Sequence, residues 1–188
     1  MLLDRRLVAW DALHRFLRGR TVQRDEACAR LRHALQGALS TLPGGFRGFI
    51  ARGPEAPAFT LLAHDLGRLM SAEPMPPAAL RGALERLRAL VLTDKDQPRQ
   101  RLAHRKADFR SAVDFDAHKA HVFALGPAVQ DALAAYRRDI NVVLAHGALE
   151  LFTIARREYR RTLDKHGLLD FSDVLERALA LLEHRDEF

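Results

Sequence analysis

Apolar residues recur every three to four positions along most of the chain, the spacing that puts them on one face of a helix. Leu3, Leu7, Trp10, Leu13 and Leu17 form the first stripe, with Arg5, Arg6, Asp11 and Arg18 off it. Gly19 is placed to end that helix. Thr21 is placed to cap a second, whose stripe is Ala27, Leu31, Ala34, Leu35, Ala38 and Leu42. The Pro-Gly-Gly run at 43–45 breaks the pattern, and 43–57 reads as a loop with a short turn around 46–50. A third helix follows over about 58–71, with Phe59, Leu62, Leu66 and Leu69 inward. The proline-rich run at 73–77 stops it, and Pro77 suits the first turn of a fourth. Leu80, Leu84, Leu87 and Val91 form the apolar face of that helix, opposite Arg81, Glu85 and Arg88.

Residues 93–116 lose the period. They read as a long exposed loop or arm carrying Lys95, Arg99, Arg101, Arg105, Lys106 and Arg110. Helix is expected again from about 117, broken or restarted at Gly126-Pro127. A long helix is expected over about 139–165, with the stripe Ile140, Val143, Leu144, Ala148, Leu151, Ile154, Ala155 and Tyr159. Gly167 ends it. A last helix begins after Asp170, with Val174, Leu175, Ala178 and Leu182 inward. The chain stops abruptly at 186–188, which reads as a cut within a longer protein. No strand pattern and no repeat emerges. The expected class is all-α, an irregular bundle of about six to eight helices.

Composition narrows this picture. The 188 residues are 48% hydrophobic and 29% charged, enough to bury a core in one ordinary domain. No apolar run approaches the ~20 residues of a membrane span. A single cysteine, Cys28, excludes an intrachain disulfide and a multi-cysteine zinc site, and a reducing cytoplasm fits. Cys28 flanks the second stripe and reads as a small core residue. Thirty basic against 24 acidic residues give a net charge of +6, which permits a polyanion partner. The chain has no G-x-x-x-x-G-K-[ST], G-x-G-x-x-G, G-x-S-x-G or H-E-x-x-H motif.

Three constellations invite chemistry. His64-Asp65 resembles the His-Asp pair of HD-type metal phosphohydrolases, with His33 upstream and Asp131 or Asp139 downstream as further ligands. The plainer reading is two polar residues on an amphipathic helix. His118 and His121 are three apart, a spacing that can bind a metal, but no third ligand has a natural place beside them. A solvated or capping role is the expectation. The basic arm can neutralise phosphates, or it is a solvated loop.

The last forty residues add a family resemblance. Tyr159, Lys165 six positions later, the Gly167 turn and Leu169-Asp170-Phe171-Ser172-Asp173-Val174-Leu175 resemble the Y-x(5)-K-x-x-x-x-D-F-x-D-L-L stretch of superfamily 1A DNA helicases, the UvrD/Rep group with AddA and RecB. Val174 stands where leucine is usual. Residues 92–102, LTDKDQPRQRL, resemble the L-T-x-x-G-x-P-R-K-x-L segment of AddA-like helicase–nuclease subunits, with Asp96 for glycine and Gln100 for lysine. The resemblance implies that 1–188 is most of the inserted helical 1B domain of such a helicase, with 170–188 returning toward the first motor domain in a bacterial cytoplasm. It implies partners: DNA as single strand or duplex junction, the motor domains of the same parent chain, and a second helicase–nuclease subunit. ATP and magnesium belong to the parent, with no cofactor, metal or catalytic residue in this stretch. Tyr159, Lys165, Asp170, Phe171 and Asp173 become junction residues. Asp170 and Asp173 can be read as paired metal carboxylates, but capping of a helix N-terminus is the simpler account. The DNA contacts are expected from Lys95, Arg99, Arg101, Arg105, Lys106 and Arg110. Arg156 and Arg160, beside Arg157 and Arg161 on the long helix, face DNA or water. A helical protein-interaction module is the alternative.

Overall fold

In the computed structural model, residues 12–167 and positions 174, 175, 178 and 179 are described. Residues 12–17 are helical and Gly19, at φ 71°, ends the helix as its position predicts. Then come α1 (Arg24–Ser40), α2 (Gly45–Ala51), α3 (Pro57–Met70), α4 (Pro77–Val91), a 3-10 turn (Lys106–Asp108) and α5 (Ala112–His166). Among the described residues, extended pairing is limited to a single antiparallel bridge, Leu92 with Pro98. The all-α class holds.

Contacts divide the chain into two compact units. One comprises residues 22–141, the other residues 1–21 with 142–188. In the 22–141 unit, α1 buries Ala27, Leu31, Leu35 and Leu39. Ala34 is exposed and Leu39 takes its place, because the buried row runs at steps of four. The α1 helix starts at Arg24 with Gln23 as N-cap and no side-chain cap, so Thr21 does not cap it. Asp25 and Glu26 complement the helix dipole instead. The α3 and α4 helices begin on Pro57 and Pro77 and bury the two predicted stripes against each other. Polar side chains of α1 close the C-terminus of α3: Gln36 Nε2 donates to the Leu69 carbonyl at 2.7 Å, and Arg32 donates to the Ser71 carbonyl at 2.5 Å.

Residues 43–57, read as a loop, contain the seven-residue α2, which drops Phe49 into the core. Gly44 makes the turn before it at φ 74°, a conformation side chains resist. The helix expected from 117 begins at Ala112. Ser111 sets that start: its hydroxyl accepts the Asp114 amide at 3.1 Å and donates to the Asp114 carboxylate at 2.7 Å.

Gly126-Pro127 does not break α5, and the helix expected from 139 is already formed at 112. Pro127 lies inside it. Gly126 has a packing role: a Cβ there would lie 2.9 Å from Pro98 Cβ. The bare backbone lets the Leu92–Pro98 turn sit directly on the helix.

In the other unit Leu17 and Val142 are buried, and His146 Nε2 donates to the Arg20 carbonyl at 2.8 Å. Along 144–159 the predicted apolar stripe is laid out on α5 and largely exposed. Leu144 is 64% and Leu151 71% exposed, with Ile154 and Tyr159 about half exposed. Gly167, at φ 62°, follows the last helical residue. Asp170, Phe171 and Asp173 lie outside the described residues, as does Leu182.

Candidate nucleic-acid interface

Residues 92–111 form a connector between α4 and α5. It is pinned to the bundle rather than free. At one end, the Thr93 amide donates to the Gln97 carbonyl and the Arg99 amide to the Val91 carbonyl, closing a tight turn. Asp96 sits at its tip with φ 57°, the left-handed region that Asp and Asn tolerate better than other side chains. Its two carboxylate oxygens each take one arginine: Arg88 of α4 at 2.5 Å and Arg137 of α5 at 2.6 Å. Gln130 Nε2 donates to the Asp96 carbonyl at 2.8 Å. Hydrogen bonds from Arg137 and then Arg88 hold the Asp96 carboxyl below its ordinary range, and the Asp96 bond raises Arg88.

The other end is held by the Glu55 amide, which donates to the Asp108 carbonyl at 2.7 Å, and by Arg110 Nε, 2.7 Å from the Glu55 carboxylate. Phe109 is buried and meets Phe115 edge-on at 5.3 Å. An exposed flexible arm was the expectation. Instead, besides its local turns, pairings to Gln130, Arg137 and Glu55, each more than thirty positions from its partner, fix the segment, and those leave no local sequence pattern.

This sorts the basic candidates. Arg99 is half-buried, with Nη2 donating to the Ala89 carbonyl in the last turn of α4 at 3.1 Å. Arg110 is exposed but engaged with Glu55. Lys95, Arg101, Arg105 and Lys106 are exposed, the last three close in sequence around the 3-10 turn. Asp108 holds that turn by accepting the Arg105 amide at 2.7 Å. In the other unit Arg156, Arg157, Arg160, Arg161 and Lys165 are all exposed on α5. By helical period the four arginines lie opposite the Leu144–Leu151–Ala155–Tyr159 row.

The histidine pair is not solvated. His118 is fully buried and His121 3% exposed. His118 stacks on Phe49 at 5.1 Å and meets Phe59 edge-on at 5.2 Å and Phe109 at 5.4 Å. Neither of its ring nitrogens has a hydrogen-bond partner. Burial, and then the nearby His104 and His121, push its pKa down to about 4. His121 Nε2 donates to the Pro43 carbonyl at 3.0 Å; burial lowers its pKa against that bond. Asp65, of the His64-Asp65 pair, is bound by Arg86 at 2.5 Å, while His64 and His33 are exposed. Among the described residues no three His, Cys, Asp or Glu side chains come together as a metal site. Cys28 is half-buried against the leucine core. No described helix is long and apolar enough to cross a membrane.

No protein family, curated protein or solved structure matches the chain.

Proposed function

We propose that this chain is an accessory helical domain of an ATP-dependent DNA helicase, contacting the nucleic-acid backbone without reading sequence. The observation that carries the reading is the turn at 92–102. In the helicase–nuclease segment that it resembles, glycine stands at the position of Asp96. Here the same position has φ 57°, a backbone that glycine adopts freely and aspartate tolerates. A second support is the end of α5, where Tyr159 and Lys165 precede a positive-φ Gly167, in the order of the second resembling stretch. DNA unwinding and break repair belong to the parent helicase, as do ATP and magnesium. The contacts of this domain are phosphate contacts from Lys95, Arg101, Arg105 and Lys106, with the arginine face of 156–161 as the second surface.

Fluorescence anisotropy with labelled DNA at several salt concentrations tests this. If about three cations neutralise phosphates, log K against log salt has a slope of about −2 to −3. Replacing Lys95, Arg101, Arg105 and Lys106 by alanine flattens it. An unchanged slope moves the contact to Arg156, Arg157, Arg160 and Arg161. Absence of binding at low salt from the folded chain rejects the reading. It would favour the second one, a helical interaction module, which the exposed Leu144, Leu151 and Ile154 row supports.

A further inference from the structure

His118 joins four elements. Its ring contacts Phe49 of α2, Phe59 of α3 and Phe109 of the connector, and its backbone belongs to α5. A neutral imidazole in this place leaves two buried nitrogens without partners. A second N–H would add a buried charge with no carboxylate acting on it. The charged groups acting on it are histidines, His104 from the connector and His121 from its own helix, and both oppose protonation; only the Phe49 backbone favours it, and more weakly. The α2 and α3 helices present the Phe49 and Phe59 rings; Arg52, just after α2, acts on His121 and adds positive charge. The Asp108 carboxylate is taken up by the Arg105 amide and lies 3.9 Å from His104. Full relief of a charged His118 ring requires water.

Of the three rings around it, the Phe109 ring of the connector is the one outside the apolar core. Phe49 and Phe59 belong to the leucine-rich core of α1, α3, α4 and α5, whereas Phe109 lies outside that cluster and Leu102 of the connector is partly buried against it. We infer that His118 is an acid-sensitive latch, and that a proton on its ring frees residues 99–111 from the bundle while the leucine core stays folded. The inference stands without the nucleic-acid reading. The freed segment carries Arg101, Arg105 and Lys106, so acid would change how this basic cluster is presented.

Hydrogen exchange on the whole chain at about pH 7 and about pH 4.5, corrected for intrinsic exchange rates, tests the latch. A histidine of ordinary pKa when freed and about 4 when packed raises the freed population about fifty-fold between these conditions. Protection should fall by that factor in peptides covering 99–111 and stay nearly constant in α1 and α4. In His118→Leu, which removes the titrating ring at similar volume, the fall should shrink to threefold or less. Unchanged connector protection in the wild type overturns the inference. So does an equal fall in α1 and α4, which is global unfolding, or an equal fall in His118→Leu. Should that variant misfold by circular dichroism, His118→Met replaces it. NMR titration of the wild-type ring gives a further check: the packed ring must titrate well below the ordinary histidine range, and a midpoint in that range overturns the latch.

Discussion

Asp96 combines a backbone requirement with a side-chain one, and substitution can separate them. Asp96→Gly keeps the positive φ and loses both arginine contacts, whereas Asp96→Val also forces a β-branched residue into the left-handed region. Melting temperatures should rank wild type above Gly above Val, the last step adding roughly 2–6 °C. A Val variant that melts with the Gly variant would remove the backbone argument. Gly53 is constrained by space alone. A Cβ there would lie 1.8 Å from the Phe59 ring, so Gly53→Ala should destabilise by about 1–3 kcal/mol in urea unfolding. For His118 the sign follows from a lowered pKa. The neutral ring is favoured in the fold, so its contribution is complete above pH 6.5 and is lost as pH falls toward about 4. The unfolding free energy of the wild type in urea should drop over that window, by about 3 kcal/mol in all if the ring stays packed until global unfolding. That of His118→Leu should drop much less.

At the scale of elements, glycines divide by what surrounds them. Gly37 in α1 and Gly67 in α3 have open space where a Cβ would go, so alanine should stabilise each by about 0.5–1 kcal/mol through helix propensity. Gly126→Ala gains the same propensity but meets Pro98, and the clash should cancel or reverse the gain. Chemical denaturation of the three variants checks the contrast. The stripes of α3 and α4 were legible because each starts on a proline and buries one row at helical spacing. The α2 helix was hidden by the glycines and prolines around it, one of which, Gly44, is its N-cap. The start of α5 at Ala112 did carry a signal, Ser111 followed three residues later by Asp114, masked by the polar composition around it. Gly126-Pro127 misled because the usual meaning of a Gly-Pro pair is a break, and here the glycine serves packing against Pro98. The Asp96 network left no trace in the sequence, since Arg137 is 41 positions away. Nor could spacing tell a buried histidine pair from a solvated one, because the enclosing rings come from three other segments.

For the molecule as a whole, the basic residues fall into structural and available sets. Arg99→Ala should lower stability by about 1 kcal/mol, because it removes a donor from the end of α4. Arg101→Ala and Arg105→Ala should leave the melting temperature nearly unchanged, and salt-dependent DNA binding should respond to the latter pair. The chain itself should show no ATP hydrolysis with or without DNA, since its sequence has no phosphate-binding loop; activity from pure protein would contradict the proposed role. The bond between Glu55 and Asp108 bears on how the fold assembles. It joins residues more than fifty positions apart, while α3 and α4 meet across a short link. Closing the larger loop loses more chain entropy before any contact repays it. The α3–α4 hairpin should therefore form early and the connector dock late. Destabilising changes at Glu55 or Phe109 should then speed unfolding and leave the refolding rate almost untouched.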